Sequence, residues 1–378
     1  MSDHVTSATA VPASRGVMLL MAIFGWRDDK LVDSFRHTAR IWARRGDFDV
    51  WFLDPWYPQH PLDWSLAEGG QLGAHHVVPT ADGQDVVERP ASVAEFYAAI
   101  RHAPLTLYGQ SYSATLMRVL DQVLSPDVIL YQVLEDACDP AMPNRADHDA
   151  VRARASLLLS ISPATDRHLG SDPRVVHLGQ YVDPDHWRVP APASPRWAFG
   201  FFGNFTDWID CRLMADIARA CPTERIGLVG PFRPEGLEGL GELLRLPNVE
   251  YVGPVAHAEL PPVVANMEVC LLPRTQSPRS LACNPLKLYE CMAAGKPLVA
   301  TPLEAMQEYG DILYLAPPER FVAEALRALA DVRAGQFALT RQEAGLVVAR
   351  ERSWAARADR LTALWDEVAG AATAPAAG

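Results

Sequence analysis

The sequence predicts an α/β protein with two open, mostly parallel α/β domains in tandem. Its 378 residues are too many for one ordinary core and suit two domains of roughly 150–200 residues each. Short apolar runs alternate with amphipathic helical stretches along the chain, which is typical of parallel sheets built from β-α-β units. A proline-dense stretch at residues 183–195 interrupts this alternation and predicts a linker between the two domains.

The first domain is predicted over residues 16–190 and opens with a β-α-β unit. The continuous apolar run at residues 17–24 predicts a strand buried on both faces of a sheet. Residues 28–45 then follow helical spacing, and Gly46 supplies a C-terminal stop. A second short apolar run at residues 49–53 completes the unit, so the domain begins as a parallel sheet would.

The rest of this domain is predicted as a long loop followed by further strands. The Pro- and Gly-rich stretch at residues 54–83 predicts a surface loop, the usual location of binding residues. Apolar runs at residues 127–134 and 156–161 predict two later strands of the same sheet. Ser162 and Pro163 then provide the N-cap and the first-turn proline of the next helix.

The small and polar residues 1–15 predict a disordered tail before the first domain. The second domain is predicted over residues 196–352, after the linker. Its predicted strands lie at residues 197–202, 225–229, 249–252, 269–272, 298–300 and 312–315. Ligands of such sheets bind at the carboxyl ends of the strands. We therefore expect a site in a cleft between the two domains.

Composition and charge argue against several other classes of protein. With 34 Lys+Arg against 46 Asp+Glu, the net charge of −12 makes a general nucleic-acid binder a poor candidate. No apolar run approaches the roughly 18 residues of a membrane span, and the first residues lack the pattern of a signal peptide. Six cysteines without CxxC pairing favour a reducing cytoplasm.

Residues 284–297 are the most informative segment and predict a short helix with clear ends. Asn284 can cap the amino terminus, Pro285 suits the first turn, and Gly295 with Pro297 ends the helix. The free amides and the positive dipole end of the first turn favour an anion, typically a phosphate.

Two charged side chains on this helix indicate a nucleotide site. Lys287 adds a positive charge in the first turn. Glu290 lies one turn further on the same face and could accept hydrogen bonds from a diol such as a ribose. An anion site beside a diol acceptor meets the needs of a nucleotide diphosphate. The spacing alone also fits an ordinary exposed ion pair, and that alternative stays open.

This segment, continued by the apolar strand at residues 298–300, resembles the donor-binding signature of GT-B-fold glycosyltransferases, which use nucleotide sugars. Residues 199–208 resemble the glycine-containing first strand and loop of the family's C-terminal domain, and residues 248–261 resemble its base-enclosing strand and helix start. Residues 353–369 resemble the final helix that crosses back onto the N-terminal domain. The resemblance implies a GT-B fold, in which two Rossmann-like domains face a cleft.

The resemblance also implies the roles of individual residues. The N-terminal domain would bind the acceptor, and the C-terminal domain would bind the donor. Glu290 corresponds to the family's ribose-binding glutamate, Lys287 to a diphosphate contact, and Gly203 to a close approach of backbone to the phosphates. The full set of implied donor-binding residues is Gly203, Asn204, Val252, Gly253, Val255, Asn284, Pro285, Leu286, Lys287 and Glu290.

The chain departs from the family's pattern at two places. Many retaining members place a second glutamate eight residues before the ribose glutamate, where this chain has Ala282. They also carry a basic pair after the glycine loop, where this chain has Asp207 and Asp210. The resemblance therefore leaves the sugar-contacting half of the donor site and the stereochemistry open.

With these two departures the chain resembles a subgroup of bacterial polysaccharide glycosyltransferases that includes the xanthan glucuronosyltransferase. That enzyme is inverting and uses an aspartate of its N-terminal domain as the base. Inversion requires a base that takes the proton of the acceptor hydroxyl. Asp136 and Glu135 follow the apolar strand that ends at Leu134, and carboxylates at a strand's carboxyl end face the cleft in such folds. We predict these two as the catalytic residues, with capping of a following turn as the alternative.

The implied function is transfer of a sugar from a nucleotide diphosphate sugar, most simply a UDP-sugar, to a hydroxyl acceptor. The acceptor could be a polysaccharide, a lipid-linked glycan or a secondary metabolite. No cofactor or metal is expected, because the helix and the lysine charge would stabilise the departing diphosphate. A sugar-nucleotide epimerase of the same fold and a non-catalytic nucleotide-sugar-binding protein are the alternatives.

A peripheral membrane contact is a further prediction. Arg36, Arg40 and Arg44 recur every four residues on the first helix and would suit anionic lipid head groups, although a solvated basic face is the commoner explanation. The tryptophan-rich loop within residues 51–64 adds a candidate sugar-stacking or membrane-facing surface. The expected location is the cytoplasm or the inner face of the membrane.

Overall fold

The computed structural model describes residues 14–21, 34–54, 73–79, 85–88, 90, 92–190, 192–232 and 237–373. These residues form two α/β units, each with its own sheet and core. Most of the predicted disordered tail lies outside the described residues, as does the region around Trp56, Tyr57 and Trp64.

The first unit is an eight-stranded sheet with helices on both sides. Its elements are β1 (Val17–Met21), α1 (Ser34–Arg45), β2 (Asp49–Leu53), β3 (Ala74–Pro79), β4 (Asp85–Glu88), α2 (Val93–Ile100), β5 (Leu105–Gln110), α3 (Ala114–Leu124), β6 (Val128–Val133), α4 (Arg145–Arg154), β7 (Leu157–Ser160), α5 (Pro163–Leu169) and β8 (Val175–His177). The strand order is β4-β3-β2-β1-β5-β6-β7-β8. Only the β2–β3 and β3–β4 pairs are antiparallel. Strand β1 is buried along its whole length, as its apolar run predicts.

Two predictions for this unit need correction. The loop predicted over residues 54–83 contains the strand β3, and β5 was not predicted at all. Both strands carry polar residues in buried positions, so their sequences lack the continuous apolar run by which the other buried strands were recognised. His75 is fully buried, and the hydrogen bond of 2.8 Å between its Nε2 and Asp54 offsets part of the cost of burying the ring. The helix predicted from residue 28 is confirmed from Ser34 onward, and residues 22–33 lie outside the described part.

The second unit is a six-stranded sheet in which every pair is parallel. Its elements are β9 (Trp197–Phe202), α6 (Cys211–Ala220), β10 (Ile226–Val229), α7 (Leu240–Leu243), β11 (Val249–Gly253), α8 (Leu260–Ala265), β12 (Met267–Leu272), α9 (Pro278–Leu281), α10 (Leu286–Ala293), β13 (Leu298–Ala300), β14 (Tyr314–Leu315), α11 (Phe321–Arg333) and α12 (Glu343–Glu351). The strand order is β11-β10-β9-β12-β13-β14. All six predicted strands are confirmed, with small shifts at their ends.

Helix α13 (Trp354–Thr373) follows the second unit and packs on the first. Its Arg357 is completely buried and donates hydrogen bonds to the Tyr108 hydroxyl at 2.6 Å and to the Gln132 amide oxygen at 2.8 Å. Its apolar face joins the core that covers α1, through Ala358, Leu361 and Trp365. The predicted return of the final helix to the first domain is thereby confirmed.

Candidate functional site

A cleft of about 520 Å³ lies between the carboxyl ends of the two sheets. The wall from the first unit contains Ser34, Gln110, Tyr112, Gln132, Leu134, Glu135 and Gln180. The wall from the second unit contains Phe202, Gly203, Asn204, Thr206, Trp208, Gly230, Pro231, Val255, His257, Leu260, Arg274, Cys283, Asn284, Pro285, Leu286, Lys287 and Glu290. The structure therefore brings most of the predicted site residues into one cavity.

Helix α10 begins one residue later than predicted. Pro285 occupies the N-cap position with φ −77° and ψ 132°, so Asn284 lies too early in the chain to cap the helix. Its side-chain amide instead donates to the carbonyl of Ile161 at 2.8 Å. Since Ile161 belongs to the first unit, Asn284 joins the two halves of the cleft. Leu286 and Lys287, whose amides come too early in the helix for an i−4 acceptor, still line the cleft wall.

Lys287 and Gly203 are packed against each other. A Cβ built on Gly203 would lie 2.3 Å from both Cε and Nζ of Lys287, so any larger residue at this position would displace the end of the lysine. Gly203 also has a φ of 118°, which side-chain-bearing residues rarely adopt. Burial lowers the pKa of the Lys287 ammonium, and the nearby Glu290 carboxylate opposes that shift. The glycine thus makes room for a positive charge beside the loop that follows β9.

Glu290 is a buried carboxylate in the same cleft, with 7% of its surface exposed. Burial raises its pKa to about 7, against the opposing effect of Lys287. The nearest imidazole is His257, whose Nε2 lies 4.0 Å from Glu290 Oε1. Burial lowers the pKa of His257 to about 4, so this ring is neutral at physiological pH. His257 was not predicted, because a lone histidine between two short elements carries no motif.

The remaining predicted donor residues divide into two groups. Asn204 and Val255 line the cleft together with Pro285 and Leu286. Val252 and Gly253 are not among the lining residues. The Val252 side chain is 40% exposed, and the Gly253 carbonyl accepts a hydrogen bond from the Gly230 amide at 2.8 Å.

The predicted carboxylates Glu135 and Asp136 lie in a short 3₁₀ helix, Glu135–Cys138, that follows β6. Both are 8% exposed, but only Glu135 is part of the cleft lining. Asp136 accepts a hydrogen bond from the Ser111 hydroxyl. Burial raises the pKa of Asp136 to about 6, and the Ser111 bond opposes the shift. The two carboxylates therefore differ: Glu135 lies at the cleft surface, whereas Asp136 is held by Ser111 beside it.

A hydrogen-bonded chain crosses the cleft and ends at Glu135. The Tyr112 hydroxyl donates to Glu135 Oε1 at 3.3 Å and accepts from Nη2 of Arg279 at 2.6 Å. Burial raises the pKa of Tyr112 well above its usual value, so the hydroxyl keeps its proton. Arg279 belongs to α9 of the second unit, so the chain couples the position of Glu135 to the facing domain. Neither Tyr112 nor Arg279 was predicted from the sequence.

The positions that depart from the family's pattern have structural roles. The carbonyl of Ala282 accepts a hydrogen bond from the Ser162 hydroxyl of the first unit at 2.7 Å. The Asp210 carboxylate caps α6 by accepting from the amides of Arg212 and Leu213. Asp210 therefore stabilises a helix start, and neither Ala282 nor Asp210 lines the cleft.

The predicted basic face of α1 is not a single exposed surface. Arg36 is buried, Arg40 is partly buried and Arg44 is exposed, while Trp51 is buried in β2. None of the helices in the described part of the chain combines the length and apolar character needed to cross a membrane. Within the same residues, no group of three or more His, Cys, Asp or Glu side chains is placed to hold a metal ion.

Comparison with known proteins links the second unit to a family of transferases. Residues 198–331 match the family model described as "Glycosyl transferases group 1". A stretch of 104 residues is 38% identical to TuaH of Bacillus subtilis (strain 168), described as a teichuronic acid biosynthesis glycosyltransferase. This match spans 28% of the chain and 26% of the length of that protein.

Solved structures resemble the chain over nearly its whole length. Sucrose-phosphate synthase from Thermosynechococcus elongatus has a TM-score of 0.68 at 16% identity, over 94% of this chain and 100% of that one. HepE from Anabaena, in complex with UDP and glucose, has a TM-score of 0.64 at 15% identity, over 92% and 98%. The catalytic domain of starch synthase IV from Arabidopsis thaliana, bound to ADP and acarbose, has a TM-score of 0.65 at 11% identity, over 95% and 100%. These likenesses confirm the predicted GT-B fold.

Proposed function

We propose that the protein transfers a sugar from a nucleotide diphosphate sugar to a hydroxyl acceptor, because residues 198–331 match the group 1 glycosyltransferase model and the chain has the GT-B fold. One observation carries the proposal. A helix start, the Lys287 ammonium and the Glu290 carboxylate lie in a single cleft between the two units. These groups provide a site for a diphosphate and a site for a diol on the same wall.

The donor would bind along the wall of the second unit. Its diphosphate would lie against the first turn of α10, beside Lys287 and the bare backbone of Gly203. The ribose hydroxyls would donate to Glu290, and the base would lie near Val255 and Leu260. We propose uridine as the base because the structurally similar HepE was solved with UDP, whereas starch synthase IV was solved with ADP. Both nucleotides therefore belong in the test.

The acceptor would bind the wall of the first unit. Gln110 and Gln180 line that wall with neutral amides, which can donate to and accept from saccharide hydroxyls. The amide oxygen of Gln132 is already bonded to Arg357 and Tyr108. We assign to Glu135 the removal of the proton from the attacking hydroxyl, since it lines the cleft and Asp136 does not. The positive end of α10 and Lys287 would stabilise the charge of the departing diphosphate. We propose that this occurs without a metal.

We place the protein in the cytoplasm. Support comes from the six cysteines, which are all free thiols, as is usual in a reducing compartment.

The donor site is tested by calorimetry with UDP and ADP on the wild type, Lys287→Ala and Glu290→Ala. We expect one nucleotide to bind the wild type and each variant to lose most of that affinity. Lys296→Ala is the matched control, because this lysine donates to the carbonyls of Ala265 and Met267 and does not line the cleft. Unchanged binding in both cleft variants would contradict the assignment.

The reaction is tested by product mass spectrometry with a panel of nucleotide sugars and saccharide acceptors, including lipid-linked glycans. Slow release of free sugar from one donor supports transfer. Isomerisation of the donor would instead support the epimerase alternative, and binding without either reaction would support a non-catalytic binding protein.

The base is tested by the anomeric configuration of the product, read by nuclear magnetic resonance. Removal of the hydroxyl proton by Glu135 during direct displacement predicts inversion and a large loss of turnover in Glu135→Gln. Asp136→Asn should retain more activity than Glu135→Gln, since Asp136 does not reach the cleft lining. A product of retained configuration would overturn the role of Glu135 as base.

A further inference from the structure

Trp208 lies in the cleft wall between two arginines. It belongs to the loop after β9, and the guanidinium carbons of Arg274 and Arg279 each lie 4.6 Å from the centre of its ring. Cation–π attraction of this kind holds a guanidinium in place without neutralising its charge. The two arginines are therefore positioned but still able to interact with an anion.

Arg274 is the more deeply buried of the pair, with 6% of its surface exposed. Its Nε donates to the Ser280 hydroxyl at 3.2 Å. Its Nη2 is buried and has no hydrogen-bond partner among the described residues. None of the ion pairs in the described part of the chain includes Arg274. Burying an uncompensated guanidinium costs free energy, so this group is suited to an anionic ligand.

The placement of Arg274 indicates which anion it faces. Arg274 follows β12, and β12 is the sheet neighbour of β9, which leads into Gly203. Parallel neighbours end at the same edge of the sheet, so Arg274 and Gly203 border the same part of the cleft. Burial lowers the pKa of Lys287, and repulsion from Arg274 adds to that shift. A doubly negative group between Lys287 and Arg274 would stabilise both of these cations, which otherwise repel each other across the cavity.

We propose that Arg274, held on Trp208, is a second diphosphate-binding residue of the donor site. It supplies the positive charge that this chain lacks after the glycine loop, where Asp207 and Asp210 stand. Arg274 and the Trp208 ring that holds it are called the clamp below. Arg279 packs on the same tryptophan and donates to Tyr112, so it ties the clamp to the facing domain. The inference rests on the proposed function, because it assumes that the cleft binds a nucleotide diphosphate.

The experiment compares UDP, UMP and uridine binding to the wild type and to Arg274→Gln by calorimetry. A charged hydrogen bond to phosphate is lost in the variant, so we expect UDP affinity to fall by about 10- to 100-fold. Uridine affinity should change by less than about 2-fold, since the nucleoside does not reach the clamp, and UMP should lie between them. Arg219→Gln is the matched control, because this exposed arginine of α6 pairs with Asp216 and Glu242.

The outcomes separate this inference from the proposed function. A wild type that binds neither UDP nor ADP removes the proposed function and the inference with it. A wild type that binds UDP while Arg274→Gln binds it equally well overturns the inference alone. Equal losses for UDP and uridine would also overturn it, because they would indicate a disturbed fold or base site.

Two further variants keep the test decisive if Arg274→Gln does not fold. Arg274→Lys retains the charge but loses the planar fork, so its UDP affinity should lie between those of the wild type and Arg274→Gln. Trp208→Leu removes the ring that positions the guanidinium, and it should weaken UDP while sparing uridine. A Trp208→Leu protein with unchanged UDP affinity would contradict the role of the tryptophan as support.

Discussion

Replacing Glu290 by glutamine should stabilise the unliganded protein and weaken nucleotide binding at the same time. Burial raises the pKa of Glu290 from 4.5 to about 7. Between these values the folded protein keeps a proton that the unfolded chain has released, so stability falls as pH rises through this window. Each pKa unit corresponds to about 1.4 kcal/mol, so ionised Glu290 costs the folded state about 3 kcal/mol above pH 8.

Glu290→Gln keeps the shape of the side chain and cannot ionise, so it removes this cost. The variant should exceed the wild type in free energy of unfolding by about 2 kcal/mol at pH 6 and about 3 kcal/mol at pH 8.5. The neutral amide is also a weaker acceptor for ribose hydroxyls than a carboxylate. UDP affinity at pH 8.5 should therefore fall by about 10-fold.

Urea denaturation at pH 6, 7 and 8.5 measures the gain in free energy of unfolding, and calorimetry with UDP measures the loss of affinity. Glu259→Gln is the matched control, since this glutamate is exposed and does not line the cleft. A stability gain that does not grow with pH would refute the electrostatic argument. A variant that binds UDP as the wild type does would refute the ribose contact.

Three other substitutions, one of them with a matched control, test the geometry. Gly203→Ala should reduce UDP affinity by more than about 10-fold and cost about 1–3 kcal/mol of stability, since its Cβ would collide with the adjacent lysine. Gly335→Ala is the matched control, because Gly335 has a φ of 72° and a Cβ built on it would have no atom within 4 Å. This control should lose stability without losing UDP affinity. Equal UDP affinities of the Gly203→Ala and Gly335→Ala proteins would contradict the predicted collision with the lysine. Tyr112→Phe should lower kcat by about 10-fold with the donor KM nearly unchanged, because the hydroxyl that orients the cleft carboxylate is lost; steady-state kinetics that show a KM effect alone would disagree. Arg357→Met should lower the free energy of unfolding by about 2–4 kcal/mol, because buried acceptors lose their donor, and a denaturation midpoint equal to that of the wild type would refute this.

Much of the second unit could be predicted because its signals are local. Its strands consist almost entirely of apolar residues, with a single glutamate in each of β11 and β12. Helix α10 carries its own start, stop and charged residues within one short segment. Lys287 and Glu290 lie one turn apart on that helix, so their shared face follows from helix geometry. These parts depend on neighbours in sequence and little else.

The unpredicted residues depend on neighbours in space. Arg274 reaches the cleft beside Gly203 only because β12 pairs with β9, and no spacing along the chain reveals that pairing. Tyr112 meets Arg279 across 167 positions of sequence. Asn284 has the residue type of a helix cap, but Pro285 occupies the N-cap position and the Nδ2 of Asn284 donates to a carbonyl of the other domain. Tertiary contacts outweighed local preference at each of these places.

The return of α13 to the first unit affects how the chain folds. Residues 354–373 are synthesised after both sheets, yet they supply Ala358, Leu361 and Trp365 to the apolar layer that covers α1. The apolar layer that covers α1 therefore stays incomplete until residues 354–373 have been made. For the same reason, a cut in the linker would yield two incomplete halves, and the two units should unfold in a single transition.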